Sequence, residues 1–392
     1  MPRAIADLRD DGLPHSLLMY VPSVHGGITH HSHYQAEELA RRGVDVTMLC
    51  SEAYPWAQDE VSYRQLRQFP EIARGGLKAR IGRFLAMIVN HYRLAWQIVR
   101  RRPGVVLLEA NTEYFAFLWV WPHLLLWALG VVYIANFHDP VRKVRYGSRW
   151  LHKLEMDAVY RTLRGGLIHG APPRDAYLPS WIRMEVVPHG PFPHHAHGGA
   201  AFDLRQSLGI APDRFVLLAF GLITDYKNLD LLIEAVARTP QADLVIAGKD
   251  KGSGERPAQF YRDLAACSGV ADRVHVVEQF IPEADVAAYF AGADAVALTY
   301  RREFVSQSGV LQLAVLWEKP VLASSGKGPL RETVIAYGLG LFVEPDDVDA
   351  ITTGLQRLIT EKPAKPGNFA RYNAAASWKS NIDGLAKLLK SL

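Results

Sequence analysis

The chain has 392 residues, 49% of them hydrophobic and 21% charged, with a formal net charge of +4. That length and apolar content suit two packed domains rather than one. Two cysteines, Cys50 and Cys267, far apart and in no metal-ligand spacing, support neither a disulfide framework nor a zinc site and fit a reducing compartment.

The first dozen residues include Arg3, Asp7, Arg9, Asp10 and Asp11 and lack the apolar core of a secretory signal, so the mature chain is expected to start here. HSLLMYV, an amphipathic stretch beginning near Thr29, and VDVTMLC then set a strand, helix, strand rhythm. Gly26 and Gly27 follow the first of these strands, where small residues allow either a tight turn or close approach of a ligand to the backbone.

Residues 62–102 carry ten cations, Arg64, Arg67, Arg74, Lys78, Arg80, Arg83, Arg93, Arg100, Arg101 and Arg102, against one carboxylate, Glu71. Leu77, Ile81, Phe84, Leu85, Ile88, Tyr92 and Trp96 are interleaved with them. This pattern predicts a basic amphipathic surface suited to anionic lipid headgroups, with Arg74, Lys78, Arg80, Arg83 and Trp96 facing the membrane. Nucleic acid is the rival partner and is not expected, because bulky apolar residues alternate with the charges; a plain solvated helix face is the remaining reading. GVVLLEA reads as the next strand, and Phe115 to Ile134, interrupted by Pro122, His123 and Gly130, reads as a helix followed by the buried strand VVYIANF rather than a membrane span.

PHGPFPHHAHGGAAFD, residues 188–203, has no hydrophobic period and marks a linker whose histidines read as a solvated turn rather than metal ligands. FVLLAFG, ADLVIAG, RVHVV and ADAVAL, each followed by a helical segment, repeat the rhythm and predict a second parallel sheet covered on both faces. The expectation is an α/β protein of two Rossmann-like domains, residues 1–195 and 196–372, with the helix 373–392 packing back on the first. In the second half Gly221 ends a strand and Lys227 precedes a helix, where a lysine neutralises a diphosphate or simply sits in a polar turn. Ser306, Gln307, Ser308 and Gly309 stand before an apolar helix; ordinary capping explains one serine, and the succession of polar and small residues points to a bound group.

GGITHHSHYQAEELARRGVDVTML, NFHDP, VVPHG, FGLITDYKNLDLLIEA, SQSGVLQLAVLWEKPVLAS and GPLRETV, in that order, resemble the GT-B glycosyltransferases, more narrowly the family 4 type and a branch associated with bacterial surface polysaccharides. The resemblance implies two domains facing each other across a cleft, an acceptor domain first and a nucleotide-sugar domain second. It implies a sugar transfer from a UDP- or GDP-hexose to a saccharide acceptor, lipid-linked, on the cytoplasmic face of the membrane, without metal or cofactor and with retention. Gly26 and Gly27 look like the loop that touches the donor. His138 resembles the histidine that meets the donor sugar, with Asp139 beside it to deprotonate the acceptor, and Lys227 the lysine that holds the diphosphate. Arg301, Glu303, Ser306, Gln307, Ser308, Gly309 and Val310 complete the implied donor site; Glu332 is secondary.

Two departures stand out. The family's Gly-Arg-Leu reads Gly221-Leu222-Ile223, and its pair of glutamates is replaced by Val305 and Leu313, or ends on Leu311 when counted from Glu303. Arg301 and Arg302 are close enough in sequence to supply the missing charge. A non-catalytic nucleotide-sugar or polysaccharide binding protein of the same fold is therefore the second reading, and a GT-B epimerase the third.

Overall fold

Leu17, Met19 and Val21 of the first strand, β1 (Ser16–Val21), enter one hydrophobic core, and Leu18 and Tyr20 enter another. A strand whose successive side chains point to opposite faces needs cover on both, so its sequence is continuously apolar. The computed structural model describes residues 8–24, 26–71, 76–109, 113–138, 148–172, 176–192, 202–252, 254–361 and 364–392.

After β1 come α1 (Gly27–Arg41), β2 (Asp45–Ser51), β3 (Arg64–Phe69), α2 (Gly76–Arg101), β4 (Val105–Leu108), α3 (Val120–Ala128), β5 (Tyr133–Phe137), α4 (Arg149–Tyr160), β6 (Leu163–Ile168) and β7 (Arg183–Val186). These strands form one parallel sheet in the order β3-β2-β1-β4-β5-β6-β7. Residues of α1 and of the C-terminal helix Trp378–Lys390 fill one core; residues of α2, α3 and α4 fill the other. Pro122 lies in the first turn of α3, where a missing N–H is tolerated, so it does not interrupt that helix. Among the described residues no helix is long and apolar enough to cross a membrane.

The second half runs α5 (Leu204–Leu208), β8 (Phe215–Phe220), α6 (Leu229–Ala237), β9 (Ala242–Gly248), α7 (Ala258–Cys267), β10 (Val274–Glu278), α8 (Glu283–Gly292), β11 (Ala295–Thr299), α9 (Gly309–Leu316), β12 (Val321–Ser324), α10 (Pro329–Tyr337), β13 (Gly340–Phe342), α11 (Val348–Glu361) and α12 (Pro366–Ala375). Its parallel sheet has the order β10-β9-β8-β11-β12-β13. Side chains of β8, α6, α7 and α11 share a core.

Contacts divide the chain into Met1–Gly190 with Ser377–Leu392, and Pro191–Ala376. The first boundary falls at Gly190 rather than 195 because His189 is buried beside Trp378. The second falls at Ala376 rather than 372 because α12 packs on α9 and α10.

Candidate functional site

In both sheets the strand order reverses direction between two central neighbours, β1 and β4 in the first and β8 and β11 in the second. Ligands of open α/β sheets bind beyond the carboxyl ends of the strands at such points.

At the first point the chain leaves β1 through Gly26, whose φ of 83° falls in the left-handed region that favours glycine. A side chain at Gly26 or Gly27 would meet no atom within 4 Å, so the start of α1 borders open space. One turn into α1, the fully buried His31 places Nδ1 3.1 Å from Oε2 of Glu109, the residue that follows β4. His138, which follows β5, places Nε2 3.2 Å from the same oxygen, and its Nδ1 lies 3.3 Å from Nε2 of His169, which follows β6. The His31 ring also packs against the rings of His138, His169, His189 and Trp378, at centroid distances of 4.7–5.2 Å.

Glu109 has no exposed surface, and burial alone would push its carboxyl up. The charge of His31 and hydrogen bonds from His138 and His31 pull it the other way and prevail, holding it below the usual carboxylate range. Asn136 donates to the other oxygen and to Gln35, Gln35 donates to Asn381 over 2.8 Å, and Asn381 donates to the Pro188 carbonyl over 2.8 Å. This amide chain ties the carboxylate to α1 and the C-terminal helix. Burial lowers His31, His169 and His189, the last to about 3, where the neighbouring His31 also contributes. Ligand atoms of His31, Glu109 and His138 lie within 4.8 Å of one another, a donor set of the kind that holds a metal ion. Hydrogen bonds account for the same closeness.

At the second point β8 ends at Phe220, and Gly221, at φ 88°, turns the chain. A side chain there would come within 3.5 Å of Lys227 Nζ and 3.9 Å of Val310. Lys227 closes a short helical turn, Asp225–Lys227, and folds back to donate to the Phe220 carbonyl. It is not the exposed lysine of a polar turn: burial pulls it down to about 7, and no carboxylate pairs with it among the described residues. Gly309 opens α9 and Val310 follows it, and that helix has no side-chain cap.

The structure thus gathers Gly221, Lys227, Gly309 and Val310. Arg301 joins them at the edge, its Nε donating to Asn228 beside Lys227. Ser308 is buried with its hydroxyl bonded to Tyr300 over 2.9 Å, and the Gln307 amide reaches Thr333 at 3.3 Å, so both are engaged within the fold. Ser306 is half-buried. Glu303 is exposed, and Arg302 is turned outward to Glu344 at 2.7 Å rather than supplying charge at Lys227. Leu313, in one of the positions where the family has a glutamate, is buried. Asp139 and Arg74 lie outside the described residues.

His189 departs from its expected place in a solvated turn: it is only 7% exposed and belongs to the histidine cluster. Sequence reasoning missed Glu109, His31 and His169. Glu109 had one signal, an acid ending the apolar strand GVVLLEA; His31 and His169 had only their polarity within buried segments.

Arg64 and Arg67 sit on β3 rather than in the basic helix. On α2, Lys78, Arg80 and Arg83 are exposed together with Leu77, Ile81, Leu85, Tyr92 and Trp96, the last at 62%. The neighbouring α3 and the residue that caps its end expose Trp121, Leu125 and Leu129 by 62–68%.

Residues 26–167 match the family model of the glycosyl transferase 4-like domain, and residues 201–376 that of glycosyl transferases group 1. Among curated proteins, D-inositol 3-phosphate glycosyltransferase of Stackebrandtia nassauensis is 30% identical over 227 residues, covering 54% of this chain and 49% of that protein. The chain spans about half the length of the curated relatives it matches. HepE of Anabaena, solved with UDP and glucose, superimposes with a TM-score of 0.72 at 15% identity, covering 96% of this chain and 100% of that one. Sucrose-phosphate synthase of Thermosynechococcus elongatus gives 0.70 at 19% identity, covering 96% and 98%. These likenesses identify the fold as GT-B. The two domain models matched in order along this fold make the second half of the chain similar to glycosyl transferases group 1 and the first half to the glycosyl transferase 4-like domain.

Proposed function

We propose that the protein transfers a hexose from a UDP- or GDP-sugar to a saccharide acceptor carried on a lipid, at the cytoplasmic face of an anionic membrane. The observation that carries this reading is Lys227, an ammonium drawn into a glycine-lined corner at the carboxyl end of β8, with no carboxylate partner among the described residues. A partly buried cation without a counter-ion is costly, and a bound diphosphate relieves that cost. HepE of Anabaena, whose solved complexes hold UDP and UDP-glucose, supports this donor class.

In the proposed reaction the bond from the anomeric carbon to the phosphate oxygen breaks as the acceptor oxygen bonds to the same carbon. The acceptor proton leaves with the diphosphate. Lys227 and the uncapped start of α9 stabilise the charge that grows on the leaving group, so no metal or resident cofactor is required. Retention fits departure and attack on one face of the sugar, in line with the family resemblance.

The acceptor assignment rests on α2 and α3, whose exposed aromatic and aliphatic residues lie among exposed cations. Such a face gains apolar burial and electrostatic attraction together at an anionic bilayer. The test is incubation of the purified protein with UDP- and GDP-sugars and bacterial membrane lipid extract, without added metal, following nucleoside diphosphate and labelled lipid by mass spectrometry. Lipid-dependent transfer from one donor supports the proposal. Tight donor binding with no release identifies a binding protein of the same fold instead.

A further inference from the structure

The turn between β8 and α6 is held from two sides. On one, Asp225 accepts from Arg256 Nε over 2.8 Å and from the Tyr261 hydroxyl over 3.2 Å, and its amide donates to Glu255 over 2.7 Å. On the other, the chain leaving β11 takes hold: the Thr299 hydroxyl donates to the Lys227 carbonyl over 2.9 Å, and the Arg301 amide to the Tyr226 carbonyl over 2.8 Å. Asn228 follows, only 2% exposed and left-handed, at φ 49° and ψ 40°. Asn tolerates this conformation better than most residues, yet it remains strained, and such strain gathers at sites that bind or react.

Glycine would occupy the position without strain, so the Asn228 side chain needs its own reason. Its Oδ1 accepts from Arg301 Nε at 3.2 Å and its Nδ2 donates to Asp346 Oδ1 at 3.0 Å, each end meeting a partner of matching polarity. Asp346 is left-handed too, at φ 62°, and its other oxygen accepts the Arg302 amide over 3.1 Å. The half-buried Arg301 is thus anchored through its inner nitrogen by a neutral group. A carboxylate there would offset its charge, as Asp225 and Asp230 do for Arg256, and Glu344 for Arg302. Among the described residues no carboxylate pairs with Arg301, and its terminal nitrogens keep the fork that matches two phosphate oxygens.

We propose that Arg301 is a second cation of the diphosphate site and that Asn228 is the positioning residue that aims it there. This rests on the donor-binding reading of Lys227 and deepens it. Lys227 precedes Asn228 in the chain and Arg301 bonds its side chain, so the two cations share a border. One meets a phosphate as a point charge and the other as a fork, and together they favour a diphosphate over a monophosphate.

The test is calorimetric titration of the full chain with UDP, GDP and the matching monophosphates, alongside thermal unfolding. Arg301→Gln should weaken the diphosphate about tenfold and the monophosphate about twofold or less, with Arg301→Lys between the two proteins, because an ammonium keeps the charge and loses the fork. Asn228→Gly suits the left-handed backbone and removes the amide; relief of strain offsets the lost hydrogen bonds, so Tm should hardly move while diphosphate binding again weakens about tenfold. Combined with Arg301→Gln it should cost nothing further, since it acts through that guanidinium. Unchanged diphosphate affinity in Arg301→Gln overturns the proposal, whether or not Asn228→Gly folds. Additive losses in the double variant overturn it by separating Asn228 from Arg301, and equal losses for diphosphate and monophosphate overturn it by marking a turn that has only loosened. Absence of sugar transfer by a protein that shows these couplings removes the transfer reading alone. An unaltered protein that binds no nucleoside diphosphate removes both.

Discussion

The two strand-order reversals are built on one plan and filled with opposite chemistry. Beyond β1 and β4 a buried carboxylate and three histidines share hydrogen bonds among themselves beneath a glycine-opened helix. Beyond β8 and β11 a single lysine folds onto a backbone carbonyl beside a glycine and an uncapped helix start. The members of the first support one another through hydrogen bonds; the second is a lysine with no carboxylate partner among the described residues. The difference teaches that the same position in the same fold can carry a hydrogen-bonded cluster in one unit and, on the proposed reading, a donor-binding lysine in the other.

The widest separation between them should appear in stability. Glu109→Ala leaves two imidazoles and the Asn136 amide without their acceptor, and breaking a buried charged pair typically costs about 3–5 kcal/mol. For a unit of this size that corresponds to a fall in Tm of about 10 °C by calorimetry. Lys227→Ala should change stability by no more than about 0.5 kcal/mol while lowering donor turnover about 100-fold, as loss of a leaving-group stabiliser does. Equal effects of the two changes on Tm would break the comparison.

Acid should also distinguish the units. His189 is held at about 3 and His123 at about 4, both first by burial, and His31, His91 and His169 are lowered as well. Such groups are neutral when folded and gain protons on unfolding, so their contribution is complete above about 6.5 and is lost as pH falls toward the folded values, by up to about 1.4 kcal/mol per unit for each. His275 is the only histidine among the described residues of the second unit. Resolved unfolding followed by hydrogen exchange should show the first unit opening ahead of the second between pH 6 and 4, by roughly these energies.

Donor binding should respond to base. Lys227, lowered to about 7 by burial, is cationic below that pH and neutral above it in the free protein. Affinity for a nucleoside diphosphate should be flat below about pH 7 and weaken by up to about tenfold per unit above it, and Lys227→Arg should abolish the slope, because guanidinium stays protonated. A flat calorimetric profile for the unaltered protein would remove Lys227 from the socket. The smallest expected effect is on membrane attachment per residue: each of Lys78→Glu, Arg80→Glu and Arg83→Glu should weaken binding to phosphatidylserine vesicles by about 1–2 kcal/mol, and neutral vesicles should not distinguish them.

Much of this was legible from the residues. β1, β8 and their following glycines announced themselves by apolar runs ending in small residues, and Lys227 stood out as a cation at a strand-to-helix turn. Glu109 was obscured because an acid closing VVLLEA looks the same whether it meets water or three donors, and His189 because Pro and Gly around it signal a turn whatever that turn packs against. Ser308 read as a ligand group; the fold bonds its hydroxyl to Tyr300, a partner eight positions earlier that no local period specifies.

The sequence by itself determined two parallel sheets, since alternating apolar strands and amphipathic helices leave few ways to bury both faces. Only the tertiary structure decided which polar side chains meet there. Parallel strands joined by crossovers bring their carboxyl ends side by side however far apart they lie in the chain, so Glu109 acquires His31, His138 and His169 through sheet order, and sheet order is set by the packing of the whole unit.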